Sequence, residues 1–188
     1  TAVDIDSEAI EIFKKFFPEM HQGSFDNPRV NLVIESAENF LKNNQKKYDL
    51  IFSDITDFNY INLGSTIWLS YQNFSPLIIS RLKKNGLFVM HAPELTEINY
   101  KKHFSLRKIF SKIFPKVYSY RVFVPFSQTF WGFLIASNNK KFNPLNISEQ
   151  TLKKRIKGQN LEKKLKYFSP EIYQAIFTLS PFLKKKLE

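Results

Sequence analysis

Two carboxylates, Asp54 and Asp57, follow the short apolar run Tyr48–Ser53. A run of this kind is typical of a strand buried in a parallel sheet. Ligands of open α/β sheets bind beyond the carboxyl ends of the strands. One carboxylate of such a pair could hold a cationic amine while the other accepts a proton from it. An Asp-stabilised turn leaving the strand is the alternative interpretation.

Polar side chains also follow two other predicted strands. Asp4 and Asp6 end the first, and His91 and then Glu94 end the fourth. A strand-end carboxylate suits ribose, because it accepts two hydrogen bonds from a vicinal diol. Helix capping is favoured for Asp6, since Asp is a preferred N-cap residue. The binding interpretation stays open for Asp4.

The elements that must position these residues alternate between strand and helix, which predicts a mostly parallel sheet covered on both faces. From residue 117 the pattern predicts an antiparallel hairpin at the sheet edge, and residues 148–188 are predicted to be helical. Asn85-Gly86 is interpreted as the stop of a long helix. The predicted strands are 1–5, 29–34, 48–53, 87–91, 117–124 and 130–137, and the predicted helices between them are 7–17, 36–43, 65–83 and 98–114.

Composition excludes several classes of protein. The chain has 188 residues, 43% hydrophobic and 16% aromatic, enough for a sizeable core and too many for a disordered chain. No apolar run approaches the roughly 20 residues of a membrane span, and no leader-like segment is visible at Thr1. The absence of Cys excludes disulfides and a Cys nucleophile, and three scattered His disfavour a metal cage. P-loop, nucleophile-elbow and zinc-protease motifs are absent.

The net charge of +11 is concentrated near the C-terminus. Residues 138–188 carry 12 Lys and Arg against 4 Asp and Glu. We favour solvated faces of amphipathic helices, because the Lys runs are interleaved with Leu, Ile and Phe. A nucleic-acid-binding arm is the alternative.

Six segments, in this order and spacing, resemble the polyamine aminopropyltransferase (spermidine synthase) family over nearly the whole chain. Each is short, and the order makes the resemblance specific. The segments are Val3-Asp4-Ile5-Asp6, Asp26-Asn27-Pro28-Arg29-Val30, Tyr48-Asp49-Leu50-Ile51 with Asp54-Ile55-Thr56-Asp57, Leu82 to Gly86, Val124-Pro125 with Trp131-Gly132-Phe133, and Tyr167-Phe168-Ser169-Pro170-Glu171-Ile172 with Ala175, Phe177 and Leu179.

The resemblance implies an α/β, Rossmann-like fold of the class I methyltransferase type, with an antiparallel edge hairpin and C-terminal helices. Residues 1–137 would form the catalytic core, and residues 138–188 a basic helical extension packed on the same domain. The family's first strand and Gly-rich loop would lie upstream of Thr1.

The resemblance also implies the chemistry. Asp4 would bind the ribose of decarboxylated S-adenosylmethionine, the co-substrate. Asp54 would be the base that takes a proton from the attacking amine, and Asp57 would hold a substrate ammonium group. A diamine such as putrescine would displace methylthioadenosine, giving spermidine without a metal ion or a tightly bound cofactor.

Several family positions carry different residues here. Glu35-Ser36-Ala37 stands where the family has Gly-Asp-Ala and is the predicted adenine-binding segment. Ile67-Trp68 replaces Leu-Tyr, His91 replaces Gln, and the hairpin aromatic falls at Phe126 or beside it. Trp68, His91 and Phe126 are therefore predicted to contact the acceptor amine.

The resemblance further implies a cytoplasmic homodimer, with no nucleic-acid partner and no membrane contact from this segment. Two alternatives are an S-adenosylmethionine-dependent methyltransferase of the same fold and a degenerate family member acting as a binding module.

Overall fold

The structure is a computed structural model that describes residues 1–55 and 74–187. The chain divides into two compact units, Thr1–Lys46 and Lys47–Glu188. A two-stranded sheet organises the first unit and a four-stranded sheet the second.

In the first unit, strands β1 (Ala2–Asp4) and β2 (Leu32–Ile34) pair in parallel, with Asp4 opposite Ile34. Side-chain caps start two of the helices. Asp6 accepts a hydrogen bond from the Ala9 N–H, which confirms the capping interpretation, and Ser36 accepts one from the Asn39 N–H. The helices of this unit are α1 (Ser7–Phe16), α2 (Pro18–His21) and α3 (Ala37–Asn43).

The sheet of the second unit has the order β3-β4-β6-β5. Strands β3 and β4 are parallel, whereas β6 is antiparallel to both β4 and β5, as the predicted hairpin requires. A single 3-10 turn, Pro125–Ser127, joins the two hairpin strands. The strands are β3 (Tyr48–Ser53), β4 (Leu82–Ala92), β5 (Lys116–Val124) and β6 (Thr129–Ser137).

The core of the second unit lies along β4. Phe88, Met90 and Ala92 are buried, since alternate side chains of a strand face the same side of the sheet. The ring of Phe88 stacks on Phe110 at 5.2 Å and on Phe114 at 5.9 Å. These close-packed rings support strand β4 and so fix the position of its carboxyl end. The helices of the second unit are α4 (residues 74–80), α5 (Lys101–Ser111), α6 (Glu149–Gly158), α7 (Pro170–Phe177) and α8 (Pro181–Leu187).

The helix stop predicted at Asn85-Gly86 is wrong. Helix α4 ends at residue 80, and strand β4 begins at Leu82. Leu82 lies opposite Tyr48, but Leu87 lies opposite Leu50, so β4 bulges over the four residues between its two leucines. The prediction failed because a Lys-Asn-Gly segment is typical both of a helix end and of a bulge in a strand.

Within the second unit, helix α7 packs against strand β5 and the segment around Pro144. The Tyr173 hydroxyl donates to the Pro144 carbonyl at 2.8 Å, and the Phe177 ring lies 5.3 Å from that of Tyr120. Residues 159–169 separate α6 from α7, so the predicted helical region is interrupted. The division at residue 137 stays a prediction.

Among the residues that the structure describes, no helix combines the length and the apolar character needed to cross a membrane.

Candidate active site

The carboxyl ends of β3 and β4 bring together two of the predicted site residues. These strands are neighbours with Ser53 opposite Met90, so Asp54 and His91 lie just beyond that pair. The Nδ1 atom of His91 is 3.3 Å from Oδ1 of Asp54, which is within ion-pair distance. The Asp54 side chain is 85% exposed and that of His91 only 19%. The site therefore pairs an accessible carboxylate with a largely enclosed imidazole.

An aromatic wall fixes the His91 ring. Trp131 stacks on it at 4.4 Å, and Phe133, which lies opposite His91 in the sheet, is tilted against it at 5.6 Å. The indole Nε1–H of Trp131 donates to the Ser127 hydroxyl. Trp131 is itself nearly buried, so its ring is held in the core while it stacks on His91.

A third histidine, His103, supports this region from within the core. It lies 3.2 Å from the Pro93 carbonyl through Nδ1 and 2.9 Å from the Ser119 hydroxyl through Nε2. Burial lowers the pKa of His103 to about 4, so the ring is neutral at pH 7. Neutral imidazole has one donor and one acceptor, so Nδ1–H donates to Pro93 and Nε2 accepts from Ser119.

Gly132 is needed beside His103. A Cβ at this position would lie 2.3 Å from His103 Nδ1 and 2.5 Å from the Pro93 carbonyl oxygen. Because Gly132 has no Cβ, the imidazole of His103 and the Pro93 carbonyl can pack directly against the backbone of β6 between Trp131 and Phe133. The role of His103 was not predicted from the sequence, because a single His on an amphipathic helix does not indicate which backbone carbonyl its side chain will contact.

Phe126 lies in the turn of the β5–β6 hairpin, next to the Ser127 that bonds Trp131. Its side chain is 88% exposed. The other two predicted acceptor contacts, Asp57 and Trp68, lie outside the described residues.

The predicted nucleotide-binding residues meet at the carboxyl ends of β1 and β2. The Glu35 N–H donates to the Asp4 carbonyl at 2.9 Å, so the two strand ends are adjacent. Asp4 Oδ1 accepts from the Asp6 N–H at 2.9 Å. Ser36 caps α3, and Ala37 is its first residue. Asp4 and the segment Glu35-Ser36-Ala37 therefore form one cluster within the first unit.

No group of three or more His, Asp or Glu side chains is arranged to hold a metal ion in residues 1–55 and 74–187.

The fold defined by these elements is the Rossmann-like α/β fold. A solved spermidine synthase from Thermotoga maritima is similar to this chain with a TM-score of 0.73 and 25% identity, covering 98% of this chain and 58% of that one. The spermine/spermidine synthase domain model matches residues 1–146. The chain therefore belongs to the spermine/spermidine synthase family, which confirms the resemblance that the six segments indicate.

Two curated relatives illustrate the relation. Polyamine aminopropyltransferase 2 of Pseudomonas aeruginosa is 32% identical over 136 residues, which is 72% of this chain and 38% of that protein. The polyamine aminopropyltransferase of Korarchaeum cryptofilum is 28% identical over 188 residues, which is 100% of this chain and 56% of that protein. The chain thus spans less than two thirds of either relative.

Proposed function

We propose that this chain is the catalytic part of an enzyme that transfers an aminopropyl group from decarboxylated S-adenosylmethionine to a diamine such as putrescine. The amine lone pair attacks the propyl carbon attached to the sulfonium, forming a C–N bond. The C–S bond breaks, and its electron pair goes to sulfur, so neutral methylthioadenosine leaves. The amine loses one proton, and the products are spermidine and methylthioadenosine.

The observation that carries the proposal is Asp54, just beyond β3, beside His91, near the carboxyl end of β4, in a chain of this family. A diamine is protonated at neutral pH, because aliphatic amines have a pKa of about 10 by analogy with Lys. A carboxylate at the site must therefore both attract the amine and take its proton. The sulfonium is already a good leaving group, so alignment and one proton transfer are the remaining demands.

Asp4 and the segment Glu35-Ser36-Ala37 are proposed to bind the nucleoside of the co-substrate. The Asp4 carboxylate would accept hydrogen bonds from the ribose hydroxyls through its remaining lone pairs. The Ser36 hydroxyl, which already caps α3, has a second lone pair that could accept from the adenine amino group. A neutral hydroxyl binds that group less strongly than a carboxylate would.

The acceptor amine is proposed to bind through Asp57, which would hold its distal ammonium group. Trp68 and Phe126 would form apolar contacts with the methylene chain, and His91 would line the pocket beside Asp54. The exposure of Phe126 at the hairpin turn leaves its ring accessible to a ligand.

A cytoplasmic location, a homodimeric state, the lack of a tightly bound cofactor and the lack of a nucleic-acid partner stay predictions. Light scattering of the full-length protein tests the dimer. A titration with DNA or RNA at low salt tests the nucleic-acid alternative, in which binding would fall steeply as salt rises.

The matched variants Asp54→Asn and Asp49→Asn test the mechanism. Both aspartates are exposed, and Asp49 lies on β3, the strand that Asp54 follows, where it pairs with Lys83 at 2.8 Å. In the full-length protein, Asp54→Asn should lower kcat by about 10²–10⁴-fold, because it removes a base while keeping the side-chain volume. Asp49→Asn should leave kcat within about twofold, since surface ion pairs contribute little. Unchanged turnover in Asp54→Asn would refute the assigned base.

A substrate panel tests the reaction itself. The full-length protein is incubated with decarboxylated S-adenosylmethionine and one of several diamines, and methylthioadenosine is followed by mass spectrometry. Product with one diamine establishes the transferase and identifies the acceptor. Substituting S-adenosylmethionine tests the methyltransferase alternative, which would release S-adenosylhomocysteine. A folded protein that binds methylthioadenosine but turns over neither donor would be a binding module.

A further inference from the structure

His91 contacts the residue proposed as the base. Its Nδ1 atom lies 3.3 Å from Asp54 Oδ1, across the carboxyl ends of two paired strands. The resemblance places a Gln at this position, and a Gln side chain has no titratable proton. The imidazole could therefore affect the carboxylate in a way that depends on its own charge.

The two side chains differ in how firmly they are held. The imidazole lies between Trp131 at 4.4 Å and Phe133 at 5.6 Å, and Ser127 in turn holds the indole. The Asp54 carboxylate is 85% exposed and follows the last residue of its strand. An exposed carboxylate samples several rotamers unless a partner fixes one of them. His91 is such a partner for Asp54, and its own ring is held by Trp131 and Phe133.

We propose that His91 is a positioning residue that fixes the orientation of the Asp54 carboxylate. Neutral His91 donates its Nδ1 hydrogen to one carboxylate oxygen and leaves the other oxygen for the proton of the attacking amine. This inference rests on the proposed function, in which Asp54 accepts that proton.

Protonation of His91 would change this arrangement. An imidazolium forms a charge-assisted bond to the carboxylate, and that bond competes with the cationic amine for the same oxygens. Asp54 is a charged group beside the ring, while Trp131 and Phe133 present uncharged rings from β6. Turnover of the wild type should therefore decline on the acid side as His91 takes up a proton.

Two substitutions of His91 separate hydrogen bonding from stacking in the full-length protein. His91→Phe keeps an aromatic ring against Trp131 but removes the donor, so kcat should fall about 10- to 100-fold, a part of what positioned proton transfer contributes. The KM for decarboxylated S-adenosylmethionine should change less than about threefold, since this residue does not contact the nucleoside in the proposed arrangement. His91→Gln keeps a donor without a titrating group, so kcat at neutral pH should stay within about tenfold and the acid-side decline should shift or vanish.

His21→Gln is the matched control, because His21 lies in the first unit and bonds the Gly23 N–H rather than a site residue. Its pH profile should equal that of the wild type. Thermal unfolding of each variant checks the fold, and if His91→Phe does not fold, the pH profile of His91→Gln decides.

Two results would overturn the role of His91, and they are distinguishable. In the first, the wild type releases methylthioadenosine, and both His91→Gln and His91→Phe match it in kcat and pH profile. This result would refute the positioning role and leave the proposed function intact. A wild type that releases none with any diamine would refute the proposed function and this role together.

Discussion

The two units of the molecule bury apolar side chains to different extents. In residues 1–46, all of which are described, Leu41 is the one buried side chain, and large apolar residues such as Phe16 and Met20 are exposed. In the second unit, Phe88, Met90 and Leu134 are almost completely buried. Two strands of three residues enclose little apolar surface, whereas four longer strands covered by helices enclose a core. The proposed base and its positioning residue thus belong to the better-packed unit, and the proposed nucleoside residues to the other.

The largest expected difference between the units is in free energy of unfolding. Phe88→Ala should lower it by about 3–5 kcal/mol, because it leaves a cavity in a fully buried aromatic stack. Phe16→Ala in the first unit should cost less than about 1 kcal/mol, since that ring is 60% exposed. Urea denaturation of both variants measures the contrast. Equal losses would mean that the first unit contributes to the cooperative core as strongly as the second.

The second expected effect is a pH dependence that originates in the core of the second unit. Burial lowers the pKa of His103 to about 4 in the folded chain, whereas an unfolded histidine has a pKa of about 6.5. The unfolded state therefore binds a proton first, and stability that is fully present above about pH 6.5 is lost as the pH falls to about 4. The loss should be about 3 kcal/mol, by the linkage between pKa and stability.

Denaturation at a series of pH values, compared between the wild type and His103→Gln, measures this effect. The other ionisable groups are the same in both proteins, so the difference between the two curves isolates His103. Parallel curves between pH 7 and pH 4 would contradict the prediction.

The smallest of the three effects concerns two glycines of the second unit. Gly132→Ala should cost about 1–3 kcal/mol, because its Cβ would overlap His103 and the Pro93 carbonyl. Gly158→Ala is the matched control. Apart from its chain neighbours and the backbone of its own helix, no described atom lies within 4 Å of a Cβ at that position, so the substitution should cost less than about 0.5 kcal/mol. Denaturant midpoints compare the two variants, and equal midpoints would mean that the β6–α5 contact relaxes without cost.

Elements with a strong local pattern could be predicted from the sequence. The hairpin strands 117–124 and 130–137 agree with β5 and β6 to within one residue, because β-branched and aromatic runs flank a Pro-containing turn. The Asn85-Gly86 interpretation failed because the partner strand decides the matter: Tyr48 and Leu50 pair with Leu82 and Leu87, and that pairing puts the intervening residues in a bulge. Pairing between strands that are distant in the chain leaves no local signal.

The sequence by itself determined the family, the alternation of strands and helices, and the placement of Asp4, Asp54 and His91 at strand ends. These follow from the order of residues, since strand ends and caps depend on near neighbours in the chain. Only the tertiary structure decided that His91 lies 3.3 Å from Asp54, that Trp131 stacks on its ring, and that His103 requires a glycine at position 132. Each of these contacts joins elements separated in the chain, and the register of the sheet sets their distances.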